Sequence, residues 1–268
     1  MNPIPVVEDN VLAYYKGIAR RLGGRFIESE QVAWFTTGRR SLLRFNAVLR
    51  TVAASPAELR RVADPILDTF LTQNLPFFWV DWPPGGAPGL ADYLHATGLP
   101  FLCFDMPAMV RRLDHLPAVV PPDGVEVVRV HTAQDQADWL TVLMAGFEEP
   151  EGARPDFGQY LAGSLAEAQS DLKHFVARWR GEPCAIATLL HARHAAGVYH
   201  VTALPAYRGR GLGKALTLIA MLAAQRAGYT EAVLFATPSG YPLYQRLGFE
   251  TVATARLFGW EGAQQGSR

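Results

Sequence analysis

The residues with the clearest chemistry lie at Arg208-Gly209-Arg210-Gly211-Leu212-Gly213-Lys214, between a strand-like run, 198–204, and a segment of helical apolar periodicity. Glycine adopts backbone conformations that other residues avoid and lets a ligand approach the main chain closely. The first turn of the helix that follows has N–H groups without intrahelical acceptors, at the positive end of the helix dipole. Arg208, Arg210 and Lys214 add cationic side chains at the same end. The pattern predicts an anion site occupied by phosphate or pyrophosphate. Two familiar phosphate loops are excluded by spacing. A P-loop needs serine or threonine where Ala215 stands, and a dinucleotide fingerprint needs a third glycine where Lys214 stands.

The elements that must position this loop are legible as periodicity. In the first part of the chain, residues 6–22 read as a helix with Val11, Leu12, Tyr15, Ile18, Ala19 and Leu22 recurring at helical spacing, stopped by Gly23-Gly24. Runs 31–36 and 42–52 are expected to pair as a hairpin. Ser55-Pro56-Ala57-Glu58 is a capping box with proline at the first helical position, opening a helix striped by Leu59, Val62, Ile66, Leu67 and Phe70. A strand at 76–80, a short helix at 90–96 and a strand at 101–110 follow. Pro117, Pro121 and Pro122 mark a linker, so the expected domains are 1–115 and 123–268. Beyond it come a strand at 125–130, helices at 132–147 and 157–168, and strands at 172–179, 184–191 and 198–204 in an antiparallel meander. After the glycine loop and its helix lie a strand at 232–236, a short helix at 241–247 and a last strand at 251–259.

The 268 residues suit one large domain or two of about 130. With 49% hydrophobic and 19% charged residues the chain is a compact globular protein. Lys plus Arg and Asp plus Glu number 25 each, so no global field draws it to nucleic acid or an anionic membrane. The longest apolar runs fall short of the roughly 18 residues of a membrane span, and the first residues have no basic-then-apolar leader pattern. A cytoplasmic location is expected. Cys103 and Cys184 both sit in apolar strand-like runs and read as buried thiols, with no disulfide or metal site.

Arg208-Gly209-Arg210-Gly211-Leu212-Gly213 has the form R-x-x-G-x-G and resembles the coenzyme A pyrophosphate loop of the GCN5-related N-acetyltransferases, the GNAT superfamily. A second stretch, 234–249, resembles the family's strand followed by N-x-x-A-x-x-L-Y-x-x-x-G-F. There Leu243-Tyr244 and Gly248-Phe249 stand at the required spacing, while Thr237 replaces the asparagine and Gly240 the alanine. The order βααβββαβαβ over residues 125–260 matches the family's topology. The resemblance implies an α/β (α+β) GNAT fold, a mostly antiparallel mixed sheet flanked by helices. An internal repeat extends it: Gly98-Leu99 lies 150 residues before Gly248-Phe249, and at that offset the helix from Pro56 falls on the helix after the glycine loop. The first part then reads as a shortened, degenerate copy. Glu58 stands at its helix start, it has no glycines in the loop register, and Leu94 is where the second copy has Tyr244.

The resemblance implies acetyl transfer from acetyl-CoA to a primary amine by direct attack in a ternary complex. Coenzyme contacts would come from Val201, Thr202, Ala203, Arg208, Gly209, Arg210, Gly211, Leu212, Gly213, Lys214, Thr237 and Tyr244, with strand 201–203 splayed from strand 231–236 and an N–H near Ala203 polarising the thioester. Tyr244 is the expected proton donor, because a phenol with a pKa near 10 is still protonated where a thiol of about 8.5 leaves as thiolate. The base is open. His200, on the strand beside the coenzyme, titrates near neutrality; Glu148, Glu149 and Glu151 follow a helix that lines the acceptor site in related proteins and would bind a cationic amine or accept its proton; direct loss to water is the third route. His191 and His194 read as solvated. The expected partner is a small-molecule or peptide amine, with no nucleic acid, membrane or metal, on a monomer or homodimer. A catalytically silent acyl-CoA-binding regulatory module and an O-acyl or longer-chain acyltransferase are the rival readings.

Overall fold

The computed structural model describes residues 4–82 and 85–263. Met1 to Pro3, part of the segment without a leader pattern, and residues 264–268 of the expected second domain lie outside them. In chain order the elements begin with helix α1 (Ile4–Arg21), strands β1 (Arg25–Glu28), β2 (Val32–Thr36) and β3 (Asn46–Thr51), helix α2 (Pro56–Thr72) and strand β4 (Phe77–Asp81). Helix α3 (Leu90–Ala96) and strands β5 (Leu102–Arg112) and β6 (Val125–Arg129) follow. Then come helices α4 (Ala133–Gly146) and α5 (Arg154–Ala166) and strands β7 (Leu172–Trp179), β8 (Glu182–His191) and β9 (Ala196–Ala203). The last elements are helix α6 (Leu212–Arg226), strand β10 (Glu231–Phe235), helix α7 (Tyr241–Arg246) and strand β11 (Glu250–Trp260). No described helix is long and apolar enough to cross a membrane.

The chain forms two compact units: Met1–Tyr14 with Ala108–Val252, and Tyr15–Pro107 with Ala253–Arg268. In the first, which bears the glycine loop, β7, β8 and β9 form the expected antiparallel meander, and β6 pairs antiparallel with β7. Strand β10 is parallel to β9 and antiparallel to β5. In the other unit β1, β2 and β3 are antiparallel, β4 is parallel to β3, and β11 is antiparallel to β4. The two units thus repeat one pattern, a parallel strand pair bridged by a helix: β3-α2-β4 and β9-α6-β10. The strand beside each pair comes from the other half of the sequence, β5 beside β10 and β11 beside β4. Compact units and linear segments 1–115 and 123–268 therefore do not coincide.

Local sequence explains the main elements. The Ser55 hydroxyl accepts the Glu58 N–H at 3.2 Å and the Glu58 carboxylate accepts the Ala54 N–H at 2.7 Å, closing the start of α2. Phe70, Phe77, Trp79 and Phe258 pack in the core of that unit. Helix α4 begins with a capping box of Thr132 and Asp135 and buries Trp139, Val142 and Leu143. Arg178 of β7 holds α4 by donating to Asp135 at 2.7 Å and Asp138 at 2.5 Å. Burial alone would raise the Asp135 pKa, but hydrogen bonds from the Thr132 amide, Arg178 and the His131 amide hold it well below the usual carboxylate range. Of the two thiols expected to be buried, Cys184 is buried and Cys103 is exposed. The start of β5, Leu102 to Asp105, is exposed throughout, so its apolar run is not a core run.

Removing Arg178 leaves two buried carboxylates unpaired, and Arg178→Leu is expected to lose about 3–5 kcal/mol at neutral pH. Because the Asp135 pKa is depressed, the stabilisation is present above its unfolded value of about 3.9 and is lost as pH falls through the lower folded value. Denaturant unfolding should show the gap between wild type and variant shrinking below about pH 4; a gap independent of pH contradicts this. The exchanged strands give a second expectation. Residues 123–268 alone lack β5 and should show no cooperative unfolding, and coexpression with 1–115 should restore it; a sharp transition from 123–268 alone contradicts the exchange.

Candidate active site

Gly209 and Gly211 adopt φ of +77° and +80°, in the left-handed region where a side chain is strained. Gly211 is the N-cap of α6, and a side chain on Gly213 would meet Leu243 of α7 at 3.1 Å and Val201 of β9 at 3.9 Å. The first two glycines set the backbone path; the third admits close packing where β9, α6 and α7 meet. Beyond Arg208, whose N–H bonds Pro205, the next amide with a backbone partner is that of Ala215, to Gly211. Among the described residues the amides from Gly209 to Lys214 have no hydrogen-bond acceptor, in an exposed loop at the positive end of a helix.

The three cations of the loop differ. Arg210 lies over the Trp179 ring at 4.4 Å and near Tyr207 at 5.6 Å, which fixes its guanidinium beside the loop. Lys214 is exposed and has no partner among the described residues. Arg208 instead faces protein carbonyls, donating to Gly146 at 2.9 Å and Ala203 at 3.3 Å, with Glu148 at 3.8 Å. The Thr202 hydroxyl donates to the same Gly146 carbonyl at 3.0 Å. A side chain on Gly146 would stand 2.7 Å from Thr202, so this closure requires glycine. Arg208 and Thr202 thereby fasten the end of α4 to β9. Just beyond that end lie the exposed Glu148, with φ +57°, and the part-buried Glu149.

Strand β9 pairs with β10 only at Ala196↔Ala232 and Gly197↔Val233. From Val198 to Ala203 it has no strand partner on that side among the described residues, so backbone donors and acceptors line an open wedge beside the glycine loop. On its other side the register with β8 shifts between Ile186 and Thr188, so His200 and Val201 stand opposite Ala187. His200 occupies the bulge with φ +52°. Its Nδ1 lies 3.2 Å from Thr188 Oγ1 and its Nε2 2.9 Å from the Tyr14 hydroxyl. Trp139 of α4 and Tyr160 of α5 meet the ring edge-on.

Tyr244 lies within α7 with its ring against Phe249. Burial pushes its pKa up to about 12, and its hydroxyl has no hydrogen-bond partner among the described residues. Gly240 makes room for that ring, since a side chain there would meet it at 3.0 Å. Thr237 caps α7 by accepting the Gly240 amide through its hydroxyl at 3.2 Å. His194 is exposed, 3.7 Å from Asp9, as a solvated residue would be. His191 is not solvated: its Nε2 is buried, and desolvation with the nearby Lys173 and Arg129 charges lowers its pKa. Sequence reasoning missed Tyr14, Thr188 and Gly146. A tyrosine off the main apolar stripe of α1 was the one visible signal, and nothing local tied it to β9. Among the described residues no cluster of His, Cys, Asp and Glu has metal-binding geometry.

An open strand edge thus lies beside a glycine-lined run of amides that suits a phosphate-bearing ligand. Residues 170–251 match the acetyltransferase (GNAT) domain model. A GCN5-related N-acetyltransferase from Kribbella flavida superposes with TM-score 0.71 at 22% identity over 96% of both chains. A tandem GNAT protein from the clavulanic acid biosynthesis pathway superposes with TM-score 0.60 at 14% identity, over 87% of this chain and 79% of that one. The mycothiol acetyltransferase of Streptomyces avermitilis is 30% identical over 66% of this chain and 60% of its own length. That of Streptomyces griseus is 32% identical over 63% and 58%. The chain thus spans about 60% of the length of these curated relatives. Residues 170–251 are thus similar to the acetyltransferase (GNAT) domain, and the chain shares the fold of the GNAT structures.

The loop geometry carries its own test. Gly211→Ala keeps the loop uncharged but forces a side chain into left-handed φ, which should destabilise the fold by about 1–2 kcal/mol. Gly211→Glu adds a carboxylate in the anion path and should abolish the rise in melting temperature that acetyl-CoA gives the wild type. An equal thermal shift in Gly211→Glu and wild type would remove the loop from the site.

Proposed function

We propose that the chain is an acetyl-CoA-dependent N-acetyltransferase that acetylates the primary amine of a small molecule by direct attack in a ternary complex. The observation that carries this reading is the run of acceptor-free amides from Gly209 to Lys214 beside the unpaired edge of β9. The loop fits a pyrophosphate, with Arg210 and Lys214 as nearby charges. Val201, Thr202 and Ala203 offer main-chain partners to the pantetheine arm, and an amide near Ala203 polarises the thioester carbonyl. Leu212 and Gly213 supply amides and Thr237 closes α7 behind them. Because relatives are called mycothiol acetyltransferases, a mycothiol-related amine is the first acceptor class to test. Glu148 and Glu149 give the entrance a negative character suited to a cationic amine.

Tyr244 donates the proton to the departing thiolate in this reading. Its raised pKa keeps the phenol protonated throughout the neutral range, so the alkaline limb of the rate profile should not follow Tyr244 ionisation below about pH 10. The other unit is read as a degenerate copy that binds no coenzyme. Its equivalent helix start is closed by Ser55 and Glu58, which take the amides a phosphate would need.

Tyr244→Phe preserves the ring and should leave acetyl-CoA affinity unchanged. Single-turnover transfer should fall about 100-fold, the lower end for general-acid loss, because water can replace the phenol. Transfer at the wild-type rate would make Tyr244 a packing residue. Coenzyme binding by the wild type without transfer to any amine would favour a silent acyl-CoA-binding module instead.

A further inference from the structure

A chain of hydrogen bonds runs from α1 through the sheet to α5. The Tyr14 hydroxyl lies 2.9 Å from His200 Nε2, and His200 Nδ1 lies 3.2 Å from Thr188 Oγ1. Thr188 Oγ1 is also 2.9 Å from His174 Nδ1, and His174 Nε2 is 2.8 Å from Ser164 Oγ. Ser164 Oγ donates to the Leu161 carbonyl at 2.7 Å. Thr188, His174 and Ser164 are buried to 1% exposure or less, so their protons must be placed within the protein.

The end of the chain fixes its direction. A carbonyl only accepts, so Ser164 directs its one proton to Leu161 and accepts from His174 Nε2–H. The neutral His174 then has a lone pair on Nδ1, which takes the single Thr188 proton. Thr188 in turn accepts from His200 Nδ1–H, leaving His200 Nε2 as an acceptor for the Tyr14 O–H. The two histidines are thereby unequal. His200 can take a second proton on Nε2 if the Tyr14 hydroxyl turns to accept. For His174 to do so, the buried Thr188 proton would have to leave its acceptor.

Helix α1 is held for this contact. Tyr14 stacks on Tyr199 at 4.0 Å between centroids, Tyr199 donates to Asn10 at 2.8 Å, and Asn10 donates to the Ala195 carbonyl at 2.9 Å. Gly197 has no side chain to displace Asn10. Tyr14 from α1, Thr188 from β8, Trp139 from α4 and Tyr160 from α5 face His200, with His174 from β7 behind Thr188; α5 also buries the Asp156 carboxylate one turn before Tyr160.

We infer that His200 is the proton acceptor of the site, that His174 sets its tautomer through Thr188, and that the proton reaches it through the Tyr14 hydroxyl. This rests on the acetyl-transfer reading above. In the step, an ammonium N–H bond of the acceptor breaks as an O–H bond forms on Tyr14, and the Tyr14 O–H breaks as an N–H forms on His200 Nε2. The positive charge passes from amine to imidazolium, and the free amine attacks.

Histidine-labelled full chain gives a readout that needs no acceptor. Nitrogen NMR should show His174 neutral with its proton on Nε2 across about pH 5.5 to 8.5, and His200 with its proton on Nδ1, gaining the second on Nε2. His200 as the Nε2–H tautomer, or His174 protonating first, overturns the chain. Tyr14→Phe keeps the stack on Tyr199 and should leave acetyl-CoA affinity unchanged while lowering single-turnover transfer about 100-fold and displacing the acid limb of its pH profile. Transfer with the wild-type rate and profile overturns the relay. Should the wild type transfer acetyl to no amine, the acetyltransferase reading fails, and the tautomer assignment is decided by the spectra.

Discussion

The backbone between Gly209 and Lys214 turns its amides outward with no acceptor among the described residues, at the start of a helix where the dipole is already positive. Such a run is stable because it is exposed to water, and it is poised because any phosphate replaces that water with fixed donors. The left-handed glycines at 209 and 211 make the path possible, and Gly213 lets α6 approach α7. Other features of the site maintain this geometry. Arg208, which its position in the loop would assign to the anion, instead ties the loop to the Gly146 and Ala203 carbonyls. The loop is held by one arginine and charged by another, Arg210, fixed on the Trp179 ring.

The second constraint is the parting of β9 from β10 after two residue pairs. β9 carries a bulge at His200 on its β8 side, and α4 is stitched to the same strand through Thr202 and Gly146. The wedge, the glycine loop and the end of α4 therefore share one strand as their frame. In the same pattern of strand, helix and parallel strand in the other unit, Ser55 and Glu58 cap α2 from within the protein.

Much of this was legible in the residues, for local reasons. Helix α3 and strand β7 have the boundaries that periodicity sets, because Gly98 and the turn at Arg180-Gly181 end them sharply. The glycine loop and the Leu-Tyr and Gly-Phe pairs are short-range patterns and kept their meaning. Strand β1 was missed because a run of four residues has too little period to read. The exchange of β5 and β11 was illegible for a different reason: alternation says that a strand has a buried face and not which strand lies beside it. The same limit hid Tyr14, whose partner is 186 residues away, and the carbonyls that hold Arg208.

The central claim is that coenzyme is held by the free amides of one loop, once per chain. Amide hydrogen exchange on the full chain, with and without acetyl-CoA, tests it residue by residue. The account predicts new protection from Gly209 to Lys214 and along Val198 to Ala203, with none at residues 56–61 at the start of α2. Protection at the start of α2, or unchanged exchange from Gly209 to Lys214 at saturating acetyl-CoA, would contradict it.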